Sequence, residues 1–114
     1  MEPRKLKHNH PEATLQANII KMLESRGWVV RVMTASKYLS GLADLYCTHK
    51  KYGSRWIEVK LPDMKGSRWT PAQREWFPIF SMNGTPIWVL TGAKESDYKL
   101  IFGPENWFFY MLIK

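Results

Sequence analysis

The sequence contains a single cysteine, Cys47, among 114 residues. That excludes an intramolecular disulfide and fits a reducing cytosol. No apolar run is long enough to span a bilayer, so no membrane association is expected. The basic start of the chain (Arg4, Lys5, Lys7) leads into His8, Asn9, His10 and Pro11, where a signal peptide would have an apolar core. Soft metal ligands are equally scarce. Beyond His8 and His10 there are only Cys47 and His49, so no zinc site is expected. Neither a phosphate-cradling glycine loop nor a serine or cysteine triad pattern is present.

Acidic residues are also few, 10 against 17 lysines and arginines, for a net charge of +7. In so small a chain this points to a polyanionic partner, of which nucleic acid is the usual one, with a merely soluble basic protein as the alternative. The excess is concentrated between Lys50 and Arg74. There, Lys50, Lys51, Arg55, Lys60, Lys65, Arg68 and Arg74 face only Glu58 and Asp63, with Trp56, Trp69 and Trp76 interleaved. Basic groups can track phosphates and aromatic rings can stack on bases. Lys50, Lys51, Arg55, Lys65, Arg68 and Arg74 are therefore the candidate DNA contacts. A hydrophobic fraction of 45% and an aromatic fraction of 14% are enough for a packed core. Residues 1–9 read as a flexible basic arm and 10–114 as one domain.

Periodicity divides the domain into elements. Pro11 suits the first turn of a helix capped by Asn9 or His10 and ended by Gly27, with Leu15, Ile19, Met22 and Leu23 at helical spacing. Residues 28–33 read as a strand and 34–41 as a polar loop. Two short strands, about 42–48 and 54–60, are joined by a hairpin loop. A second helix is expected from Thr70 or Pro71 to Met82, stopped by Asn83-Gly84, with Pro78 as a candidate kink. Residues 86–91 form a further strand. The tail offers a weak strand near 99–102 and a short apolar helix after Pro104. The order α-β-β-β-α-β predicts an α/β fold with a mixed sheet flanked by helices.

A hairpin loop of residues 49–53, centred on Lys51, puts Asp44 directly opposite Glu58. Opposed side chains lie roughly 5 Å apart, and like charges there are destabilising unless something compensates. A divalent cation held by hard oxygen ligands would do so. Strand alternation places Lys60 on the same face as Glu58, with Ile57 and Val59 on the other. Two readings of this cluster follow: a solvated cross-strand group neutralised by Lys60, or a metal site with an ammonium beside it. Helical phase adds two inward polar groups. At about 100° per residue from Leu15, Glu12 falls at about 60°, between Ile19 and Leu23, while Glu24 falls at about 180° on the opposite face. In the second helix Gln73 shares a stripe with Trp76, Phe77 and Phe80, and a buried amide needs partners. Either group could instead reach solvent from a helix end.

The ordered set Glu12, Gly41-Leu42-Ala43-Asp44, Ile57-Glu58-Val59-Lys60 and Thr70-Pro71-Ala72-Gln73, with Gln16 and Gly27-Trp28, resembles the VRR-NUC (virus-type replication-repair nuclease) branch of the PD-(D/E)xK nucleases in its compact stand-alone form. The likeness covers roughly residues 10–92. It implies a restriction-endonuclease-like core and a metal-dependent DNA endonuclease, a phosphodiester hydrolase. Such an enzyme would act on branched, flapped or four-way DNA in replication, repair or recombination, in the cytoplasm of a bacterium or a virus-infected host. It further implies Mg²⁺ or Mn²⁺ held by Asp44, Glu58 and the backbone carbonyl of Val59, with a catalytic Lys60. Glu12 would assist metal or water, and Gln73 would support the site. Ala43 departs from the usual proline. A Holliday-junction resolvase, a restriction-type enzyme or a silent DNA-binding module are the alternatives. His8-Asn9-His10 spells H-N-H, but that motif spreads its residues over a hairpin and a helix. Finally, Trp107 to Ile113 is apolar throughout, which leads to the expectation of a homodimer interface in the tail.

Overall fold

A computed structural model describes residues 11–33, 41–64 and 67–113. The expected arm at 1–9, the polar loop at 34–40 and Lys65 lie outside the described residues. The elements are α1 (Pro11–Glu24), β1 (Val29–Val32), β2 (Leu45–His49), β3 (Gly53–Val59), α2 (Pro71–Met82), β4 (Ile87–Leu90), α3 (Glu95–Leu100) and α4 (Trp107–Ile113). They form a mixed α/β fold with one four-stranded sheet, order β1-β2-β3-β4. The first three strands are antiparallel neighbours, and β4 joins β3 in parallel after the α2 crossover.

Local chemistry sets the boundaries. After α1, the Trp28 N–H donates to the Leu23 carbonyl and the Gly27 N–H to that of Glu24. Gly27 sits at φ +92°, the left-handed turn that ends helices in this way. Trp28 and Leu23 are both buried in the same cluster, which fixes the angle at which the chain enters β1. The β2–β3 ladder pairs Leu45 with Ile57 and His49 with Gly53. This is the register of a loop centred on Lys51, although β2 starts later and β3 ends earlier than the sequence indicated, and each runs one residue further toward the loop.

Strand alternation then sorts the core. Leu45, Cys47, Ile57, Val59, Trp88 and Leu90 face Ile19, Met22 and Leu23 of α1. On the other side Ala43, Ile87 and Val89 pack with Phe77 of α2 and Trp107 of α4. Pro78 lies inside α2, which nevertheless runs unbroken to Met82.

The tail corrects one expectation. Residues 95–100 are helical where a weak strand near 99–102 was predicted. Glu95 and Asp97 lie in its first turn, and the Asp97 carboxylate accepts from the Lys94 N–H. These interactions favour a helix start. The segment after α3 closes the outer edge of β4. The Asn106 side-chain amide both accepts from the Val89 N–H at 2.6 Å and donates to the Val89 carbonyl at 3.0 Å. Glu105 accepts from the Ile87 N–H at 3.0 Å. Among the described residues no helix is long and apolar enough to cross a membrane.

Candidate active site

The chemistry-bearing side chains gather where β2 and β3 diverge. Asp44 lies one residue before the last β2–β3 pair. Its Oδ2 accepts from the Val59 N–H at 2.8 Å, and its own N–H donates to Glu58 Oε1 at 3.2 Å. The two carboxylates therefore oppose each other across the strands, as the hairpin register requires. Glu58 is buried, and its Oε2 accepts from Gln73 Nε2 at 2.8 Å and pairs with the Lys60 ammonium at 3.2 Å.

Gln73 reaches this position because it closes the N-terminus of α2. Its Oε1 accepts from the Thr70 N–H, and its own N–H donates to Thr70 Oγ1, both at 3.1 Å. Such a reciprocal cap is worth about 1 kcal/mol, and it aims the free end of the amide at Glu58. Lys60 is buried too. Its ammonium donates to the Arg68 carbonyl at 2.6 Å and to Gln73 Oε1 at 3.3 Å, and lies 4.4 Å from the centre of the Trp69 ring. With Glu58 as third partner, all three donors of the ammonium have acceptors.

Burial of like charges carries a cost. Desolvation, with Glu12 a lesser contributor, pushes the Asp44 carboxyl up to about 6. Desolvation first, then the Asp44 charge, pushes Glu58 up to about 8, against the opposing pull of Lys60 and Gln73. The two titrate as a pair. A carboxylate pair held this far above its ordinary range fits a site that expects a cation. The donor set agrees with a hard ion. A residue in a strand directs its N–H and C=O to the same side. The Val59 N–H meets Asp44, so its carbonyl points toward the same carboxylates, giving an all-oxygen set suited to Mg²⁺ or Mn²⁺. Among the described residues no group of three or more His, Cys, Asp and Glu side chains is placed to hold a metal. Cys47 is buried and its thiol is pushed up to about 12 by desolvation, leaving it a packing group.

Glu12 comes close without joining the pair. Its Oε2 accepts from Ser67 Oγ at 2.6 Å, and Ser67 Oγ accepts from the Leu61 N–H at 2.9 Å. Glu12 thus ties α1 to the segment that follows Lys60. Ser67 was missed from the sequence, where a lone serine in a loop carries no signal. Glu24 is exposed, as its phase predicted. If the site is catalytic, Glu12→Gln should slow turnover about 10–100-fold, the usual scale for a residue that orients a reactive group. Glu24→Gln should change it less than about twofold. Steady-state rates of the two variants decide, and the reverse order would mean that α1 is rotated.

The candidate DNA contacts separate into two groups. Arg68 and Arg74 are exposed, the first next to the carbonyl that holds Lys60 and the second next to Gln73. Lys50 and Lys51 are exposed at the hairpin tip, roughly 20 Å from Glu58 at the rise of an extended strand. The structure places Arg55 elsewhere. Its guanidinium donates to the carbonyls of Ile101, Tyr52 and Ser54 and lies against the rings of Trp28, Trp88 and Phe102. Of the interleaved tryptophans, Trp69 is buried, Trp56 half-buried and Trp76 exposed.

Compared with known proteins, the chain matches a solved structure described as a VRR_NUC domain. The TM-score is 0.61 at 22% identity, spanning 77% of this chain and 91% of that one. No family model and no curated protein matches. The fold of this chain is that of a VRR_NUC domain, with the sheet and flanking helices the sequence led us to expect.

Proposed function

We propose that this chain, which shares the fold of a VRR_NUC domain, is a Mg²⁺- or Mn²⁺-dependent DNA endonuclease. Its expected substrates are branched, flapped or four-way DNAs arising in replication, repair or recombination. The observation that carries this is the half-buried Asp44 opposite the buried Glu58, with the Lys60 ammonium against Glu58. When bound by Asp44, Glu58 and the Val59 carbonyl, the metal would neutralise the pair, polarise the scissile phosphate and make water acidic enough to attack it.

The protein groups supply the rest. Gln73 holds Glu58 in one orientation through its cap. Lys60 keeps a positive charge beside the position of the phosphate, where charge builds as the bond breaks. To touch the phosphate the ammonium must give up one of its three acceptors, and the Gln73 contact is the longest. Arg68 and Arg74 attract the DNA backbone and set its approach. Incubating the pure protein with linear, flapped and four-way DNAs should give cleavage in Mg²⁺ or Mn²⁺ and none in chelator. Full activity in chelator would refute metal dependence.

The outer face of α4 bears on assembly. Phe108, Phe109 and Leu112 are 61%, 63% and 69% exposed, too much apolar surface to be comfortable in water. A second copy of this chain is the occupant we propose, since a two-fold pair would present two sites to one DNA. Light scattering should give about twice the 13.4 kDa chain mass. Phe109→Glu should return a folded monomer. A wild-type monomer at high concentration would exclude the dimer.

A further inference from the structure

On the Glu58 face of the sheet, a cleft of about 150 Å³ opens between the segment that leads into β2, the strands β3 and β4, and the C-terminal half of α2. Leu42, Ala43, Trp56, Phe80, Thr85 and Ile87 line it. It lies beside the carboxylate site. Ala43 directly precedes Asp44, and Trp56 lies two positions before Glu58 on the same face, about 7 Å along the strand. Two of its walls, Trp56 and Phe80, are aromatic. Trp56 packs against Tyr46 with ring centres 5.0 Å apart, and Phe80 stacks on Trp76 at 5.7 Å and 28°. Tyr46 and Trp56 are half-buried and Trp76 is exposed, so these rings keep surface for a visitor.

We infer that this cleft receives an unpaired nucleobase adjacent to the scissile phosphate. The inference rests on the nuclease reading above and specifies its substrate class. A phosphate placed at Asp44 and Glu58 carries its own base one sugar away, within reach of Trp56. The surrounding charge suits DNA, with exposed Arg68 and Arg74 at the N-terminal end of α2 on the phosphate side. Aromatic walls with one hydroxyl, that of Thr85, accept any base through its flat face. A base inside a duplex cannot enter without leaving its stack. The site therefore selects DNA whose strands are already apart at the cut: flaps, frayed ends and single strands.

Thr85→Phe tests this by filling the cleft from its rim, while the Thr85 N–H that donates to the Phe80 carbonyl at 2.9 Å is kept. Cleavage of a fully paired duplex is compared with that of the same duplex carrying a short unpaired run at the cut. Wild type should prefer the unpaired DNA by at least about tenfold, the scale of one base–aromatic stack. In Thr85→Phe that ratio should fall to about one. Trp56→Leu, which removes a wall instead, should do the same if Thr85→Phe folds poorly by circular dichroism. A second readout needs no turnover. In chelator, 2-aminopurine at one position of a single-stranded oligonucleotide should be quenched by wild type and not by Thr85→Phe. Cleavage without preference, or preference that survives both substitutions, overturns the cleft assignment and leaves the nuclease standing. Quenching that depends on Thr85 with no cleavage in any metal supports the base site and overturns the nuclease. Neither signal removes both.

Discussion

Glu58→Gln should lower DNA cleavage by at least about a thousandfold, the scale set by losing one preorganised electrostatic group. Asp44→Asn should do the same. The substitution keeps the shape of the side chain, and the partner groups Gln73 and Lys60 can still approach it, so the fold should persist. What disappears is negative charge needed to hold the cation. Affinity for DNA should be unchanged or slightly higher, since a carboxylate near the phosphates only repels them. Single-turnover cleavage in Mg²⁺ with anisotropy-based binding in chelator, where no cation bridges carboxylate and phosphate, separates the two effects. A variant that cleaves normally would remove Glu58 from the chemistry, and one that fails to bind would make it a recognition residue.

In chelator, thermal stability should fall as pH rises from about 5 to about 8. Asp44 is raised from 3.8 to about 6 and Glu58 from 4.5 to about 8. Through that window the folded protein holds protons that the unfolded chain has released. Their contribution is fully present below the unfolded values and is lost as pH climbs through the folded ones. Glu58→Gln should flatten the profile and be more stable than wild type at the alkaline end. Lys60→Met should steepen it, because the ammonium is among the groups holding Glu58 down. Saturating Mg²⁺ should flatten the wild-type profile and release protons on binding, which calorimetry in buffers of different ionisation enthalpy would register. A wild-type profile in chelator no steeper than that of Glu58→Gln would show that Glu58 is not buried as described.

Much of this site was legible because it depends on local periodicity. A loop centred on Lys51 was enough to oppose Asp44 and Glu58. Helical phase alone separated Glu12 from Glu24 and turned Gln73 inward. What sequence could not show depended on partners far along the chain. Arg55 looked like one more surface cation in a basic stretch, but Trp28, Trp88 and Phe102, from three distant segments, enclose it. Trp69 sat among basic residues like a stacking surface, yet Lys60 and Phe77 cover it. Residues 99–102 are apolar enough for a strand, but capping by Asp97 starts a helix before them.

The Asn106 amide has a consequence for how this molecule can associate. A fibre built by adding strand to strand needs two open edges on every molecule, one to join and one to extend. Here β4 offers none, because a side chain already occupies the positions where a neighbour's backbone would bind. The other edge is β1, with Val29 and Val32 exposed. Among the described residues this is the one edge left open, so two molecules that met there would use up both, and growth by strand addition stops at a pair.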